Sequence, residues 1–182
     1  MQDEISNTCL ELIFEDAFFG HFLLSINREI TTKGPTLWVR PTDDEKVIMG
    51  VNPEFWNGPL SDKKFRMGGI KHEVLHVVFK HITRELEQKD GISKFQNHRL
   101  FNIAADLVVN QYVERSWLIK GAVILEMFPE LKLRKEMDVA YYYDKLEELY
   151  RKMPQQPSAC PDCGQSTGEA GVGAGEGEGG LP

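Results

Sequence analysis

Two histidines, His72 and His76, stand four residues apart in a stretch whose apolar residues Leu75, Val78, Phe79, Ile82 and Leu86 recur with helical period. No other feature constrains the chain as strongly. The spacing predicts a helix from Ile70 to about Leu86, entered after Gly68-Gly69, with both imidazoles on one face and one turn apart. Imidazoles so placed can reach a single zinc ion at about 2.0–2.1 Å. Glu73, next to the first histidine, points in a neighbouring direction. It can act as a general base toward water activated by the ion without itself being a ligand, the chemistry that hydrolyses amides. Random placement gives His-Glu-x-x-His in roughly one chain of this composition per hundred, so the helical context has to carry part of the weight.

A catalytic zinc takes three protein ligands and leaves one position open. His81 is the nearest further histidine, five residues past His76. On an unbroken helix, at about 100° per residue, it is rotated some 140° away and is expected at the surface or the edge of the core. A third histidine ten residues after the first would fall at Ile82. The following helix, expected from about Arg99 to Val113, offers a better donor. Asn102, Asp106 and Asn110 recur every four residues on an otherwise apolar helix, where Asn and Asp are poor formers. A plain solvent face would more cheaply use Glu, Lys or Gln. Asp106 is therefore the expected third ligand, with Asn102 and Asn110 placed to orient it or the histidines. Ala104-Ala105 would let this helix approach a neighbour closely.

The rest of the chain reads as an α+β domain, mainly helical, with a small β-sheet before the histidine helix. Residues from about Glu4 to Ile30 look helical, broken near Gly20. Thr36–Arg40 and Lys46–Val51 read as strands joined by the acidic turn Asp43-Asp44-Glu45, with Asn52-Pro53 closing the second. A loop containing Asp90-Gly91 separates the two site helices. Asp138 can cap a last helix with the stripe Val139, Tyr142, Leu146, Leu149 and Met153. The Tyr141–Tyr143 run reads as packing. Composition changes after Met153: the last 29 residues hold 8 of the 16 glycines, four acids and no Lys or Arg. The folded domain is therefore expected over residues 1–153, with 154–182 a flexible Gly/Pro-rich acidic tail or linker.

Charge and composition exclude several classes. Net charge is −7, against a nucleic-acid module, and no apolar run approaches the ~18 residues of a membrane span. Cys9, Cys160 and Cys163 are too few for a disulfide framework. With no secretory signal visible in the acidic N-terminus, a cytoplasmic setting is the default expectation. Cys160-Pro161-Asp162-Cys163 resembles half of a zinc knuckle with no second half after it. Tyr112 and His98 are both candidates for stabilising an oxyanion, and spacing does not choose between them.

Taken together, His72-Glu73-Val74-Leu75-His76 … His81 … Arg84 and Asn102-Ile103-Ala104-Ala105-Asp106-Leu107-Val108-Val109-Asn110 resemble the putative metallopeptidase domain of bacteria that is often joined to a von Willebrand factor A-like domain. Phe18-Phe19-Gly20-His21, Val51-Asn52-Pro53-Glu54-Phe55 and Val139-Ala140-Tyr141-Tyr142 fit the same pattern. The resemblance implies a zincin-like fold, with His72, His76 and Asp106 at the metal positions, Glu73 as base, and a peptide or protein as substrate. It also implies partners of the von Willebrand factor A-like or AAA ATPase kind, and so an alternative in which a catalytically silent metal-binding module docks on such a partner. No Asp-x-Ser-x-Ser segment occurs in these residues. Intact Glu73 favours the enzyme, since a structural site needs no base.

Overall fold

A computed structural model describes residues 1–44, 46–84, 88–89 and 92–152, apart from the side chains at 21, 84, 88–89 and 92–93. The chain opens with helices α1 (Gln2–Glu15) and α2 (Ala17–Ser25). They part at Asp16, not at Gly20 as the glycine suggests. Asp16 is extended (φ −148°) and its side chain accepts from the Phe18 amide, so a local cap competes successfully with the helix. Gly20 stays inside α2.

The helical reading also runs too far. Residues Ile26–Ile30 form strand β1, which pairs in parallel with β3 (Val47–Val51), Ile26 against Val47 and Ile30 against Val51. A short segment of this composition is decided by its partner strand, which lies far along the chain. Strand β2 (Leu37–Pro41) pairs antiparallel with β3 through the expected hairpin, giving the order β1-β3-β2. The segment 46–51 is therefore central and paired on both sides.

Asn52 closes β3 and caps α3 (Pro53–Asn57) by accepting from the Glu54 and Phe55 amides, while its Nδ2 donates to the Gly34 carbonyl. Helix α4 (Lys63–Val78) starts earlier than expected, capped by Asp62. Gly68 and Gly69 lie inside it. Their purpose is proximity: a Cβ on Gly68 would stand 2.2 Å from the Trp117 carbonyl oxygen, and one on Gly69 3.2 Å from a Leu60 methyl. A one-turn 3-10 helix at Arg115–Trp117 thus crosses directly over α4.

Helix α4 also ends earlier than its apolar stripe implies. Lys80 adopts a left-handed conformation (φ 58°), and the chain restarts as the single turn α5 (His81–Arg84). The two-residue strands β4 (Gln88–Lys89) and β5 (Ile92–Ser93) then precede α6 (His98–Val109), whose cap Asn97 accepts from the Leu100 amide. The last helix, α7 (Val139–Lys152), is capped as anticipated by Asp138, which accepts from the Tyr141 amide. Tyr142 and Tyr143 are buried, and the Tyr142 hydroxyl donates to the Arg134 carbonyl and accepts from Gln111. Leu86, Asp90-Gly91, Met153 and the whole segment 154–182, with Cys160 and Cys163, lie outside the described residues.

Two apolar cores result. Ile5, Leu12, Leu23, Met49, Trp56 and Val74 belong to the first, built from α1, α2, the sheet and α4. Ala104, Leu107, Val139, Tyr142 and Leu146 belong to the second, built from α6 and α7. Phe79 packs against both. Among the described residues no helix is long and apolar enough to cross a membrane. Gly68→Ala should lower the melting temperature. The helix-propensity gain of up to about 1 kcal/mol is outweighed by about 1–3 kcal/mol of overpacking against Trp117. Gly69→Ala, facing only a movable methyl, should cost less. A thermal melt in which Gly68→Ala matches or exceeds the parent would remove the close crossing.

Candidate metal centre

The seam between the two cores brings α4 against α6, and three donor atoms meet there. His72 Nε2 lies 3.0 Å from His76 Nε2. Asp106 Oδ1 lies 3.4 Å from His72 Nε2 and 3.3 Å from His76 Nε2. All three side chains are partly buried, Asp106 being 32% exposed toward solvent. Ligands held at 2.0–2.2 Å around a tetrahedral ion stand about 3.3–3.6 Å apart, so two of the three edges match that spacing and the third is slightly tighter. Two imidazole nitrogens and one carboxylate oxygen also form the donor set of a hydrolytic zinc site with one corner left open. The residues present therefore fit a divalent ion.

Each histidine is held through its other nitrogen. His72 Nδ1 lies 2.8 Å from Asn110 Oδ1. The amide of Asn110 is oriented in turn, because its Nδ2 donates to the Val123 carbonyl at 2.8 Å. Asn110 Oδ1 can only accept, so His72 Nδ1 carries a proton, and Nε2 is the atom that faces Asp106, donating to it while the ring is charged and free to ligate once that proton leaves. His76 Nδ1 lies 3.1 Å from His81 Nδ1. The expectation for His81 needs correcting. It is buried, 3% exposed, and faces His76, because the left-handed turn at Lys80 cancels the rotation that an unbroken helix would impose. Nothing in the local sequence, neither Gly nor Pro, announces that turn.

Asn102 lies exposed one turn before Asp106, outside the cluster it was expected to support. His98 stands eight residues from Asp106, about 12 Å of helix rise, too far to act on the same atom. Tyr112 is 43% exposed and its ring sits 5.2 Å from that of Phe79.

The electrostatics favour a positive charge among these three groups. Burial disfavours a charged His72, yet the hydrogen bond and charge of Asp106 outweigh it and raise its pKa to about 9. Burial likewise opposes ionisation of Asp106, but hydrogen bonds from His72 and His76 and their charge hold its carboxyl well below the usual range. Glu73 is raised, first by burial, although His72 and His76 pull it down. Glu73 makes no hydrogen bond to another described residue.

The fold and site define a mixed α+β domain with a two-histidine, one-carboxylate centre that could hold a metal ion. The chain belongs to the family described as the putative metallopeptidase domain, whose model matches residues 2–180. That membership suggests a hydrolase and implies a metal ion. No curated protein and no solved structure matches the chain.

A cation must displace the proton that His72 holds below pH 9. Binding near neutral pH should therefore release about one proton, and affinity should rise roughly tenfold per pH unit up to about pH 9. Calorimetry in buffers of different ionisation enthalpy reads this directly. In the metal-free protein the raised His72 contributes stability that is complete below about 6.5 and lost as pH rises through 9. The lowered Asp106 contributes above its ordinary value near 3.8 and is lost in acid. Asn110→Leu should weaken metal binding about 10–100-fold by freeing the His72 ring.

Proposed function

We propose that the chain is a zinc-dependent peptidase domain of the zincin kind, with His72, His76 and Asp106 holding the ion and Glu73 as general base. The observation that carries this reading is the meeting of three donor atoms within 3.4 Å beside a partly buried glutamate that makes no hydrogen bond to another described residue. The ion, when bound, supplies a Lewis acid that polarises the scissile carbonyl and acidifies water. The residues do the rest. Glu73 follows His72 on α4, so its carboxylate stands beside the ligand face without joining it. Burial makes it a stronger base than an exposed glutamate, which suits it to take a proton from water and return it to the leaving amine. Asp106 and the paired Nδ1 contacts keep the imidazole Nε2 atoms aimed at one point, so little reorganisation is needed in the reaction.

Substrate would lie extended along β2. That strand is the antiparallel edge of the sheet, flanks α4 and α5, and among the described residues pairs only with β3. Peptide addition there would use its free backbone groups. A cytoplasmic setting and an acidic linker beyond residue 153 belong to the same proposal.

Glu73→Gln should bind zinc as the parent does and lose hydrolysis by about 10²–10⁴-fold, the usual worth of a general base. His76→Ala should lose the metal itself. Elemental analysis of the purified proteins and a peptide-library cleavage assay read both. A parent protein without stoichiometric zinc, or a Glu73→Gln variant that still cleaves, would end this reading.

A further inference from the structure

The geometry points to His81 as a positioning residue for the metal centre: it accepts a hydrogen bond from His76 Nδ1 and so fixes the tautomer and ring plane in which His76 Nε2 can ligate. This inference rests on the proposed metal-dependent function, which it deepens. Three observations carry it. The two Nδ1 atoms are 3.1 Å apart, a hydrogen-bond distance. The His81 ring is 3% exposed and cannot swing aside, being stacked on Phe79 at 5.8 Å (24° between planes) and edge-on to Phe101 at 6.4 Å. The backbone turn that brings it there places a lysine, Lys80, in a left-handed conformation that non-glycine residues rarely adopt.

Proton accounting then fixes the roles. A neutral imidazole carries one proton. If His76 Nε2 gives its lone pair to a cation, its proton sits on Nδ1 and must be donated. His81 Nδ1 is the acceptor facing it, so the His81 proton resides on Nε2. The pair mirrors His72 and Asn110, so both imidazoles of α4 are braced from behind by a side chain outside that helix. Phe79 packs against both cores and Phe101 belongs to the second, so His81 is clamped at the same seam that brings Asp106 to the ligands.

Two substitutions separate positioning from packing. His81→Phe keeps an aromatic ring between Phe79 and Phe101 but has no acceptor. His81→Asn keeps an acceptor, the amide oxygen, near the place of Nδ1 but gives up the ring contacts. Zinc affinity, measured by competition with a chromophoric chelator, should fall about 10–100-fold in His81→Phe and recover most of that loss in His81→Asn. Melting of the metal-free proteins should show the opposite order, with His81→Asn the less stable. In the metal-free protein Asp106 draws the His76 proton toward Nε2 and His81 draws it toward Nδ1, so long-range proton–nitrogen NMR should show a larger Nδ1–H fraction at His76 in the parent than in His81→Phe. Parent-like zinc affinity in His81→Phe, or affinities that follow the melting order, would overturn the role of His81 while leaving the metal centre standing. A parent that binds no zinc would overturn the peptidase reading, and the NMR comparison would still decide whether His81 sets the His76 tautomer.

Discussion

The Asp106 carboxylate sits between two imidazoles from successive turns of α4, and the rest of the centre depends on that contact. A carboxylate in a poorly solvated cleft is costly unless a positive charge lies against it. In the metal-free protein that charge is a proton on His72. Glu73 adds a second partly buried acid nearby. Two carboxylates and two neutral imidazoles carry a charge of −2, which one divalent ion balances completely and one proton only by half. The same electrostatics favour a dication at this point.

The centre lies where two separately packed cores meet, not within either one. His72, Glu73 and His76 ride on a helix anchored in the core of α1, α2 and the sheet, while Asp106 rides on a helix packed mainly against α7. Donor spacing of about 3 Å therefore reports how the two halves dock. Phe79, in contact with both, and Asn110, which ties His72 to the carbonyl of Val123, are the elements that hold this docking. Gly68 contributes from the other side by letting the Arg115–Trp117 turn press onto α4 just ahead of the ligands.

Much of this was legible in the chain itself. The four-residue spacing of His72 and His76 and of Asn102, Asp106 and Asn110 defines two polar helical faces whatever surrounds them, because side-chain direction on a helix follows from spacing. The hairpin of β2 and β3, the Asn52 and Asp138 caps and the buried tyrosines followed from equally local chemistry. What misled were signals whose meaning depends on a distant partner. Gly20 looks like a breaker and is not one, since Asp16 caps the break four residues earlier. Gly68-Gly69 look like a helix entrance and are instead a contact surface for Trp117. Ile26–Ile30 look helical and become a strand because β3 offers them hydrogen bonds.

By itself, the sequence determined which side chains can share a face: two imidazoles with an adjacent glutamate on one helix, and a carboxylate flanked by amides on another. Only the tertiary structure decided that those faces meet, that Asn110 and not Asn102 backs the site, and that His81 turns inward to His76. The physical reason is that spacing fixes direction only while a helix continues. The left-handed residue at Lys80 stops α4 and redirects the chain, and it is held by the packing of His81 between Phe79 and Phe101 rather than by any residue's own preference.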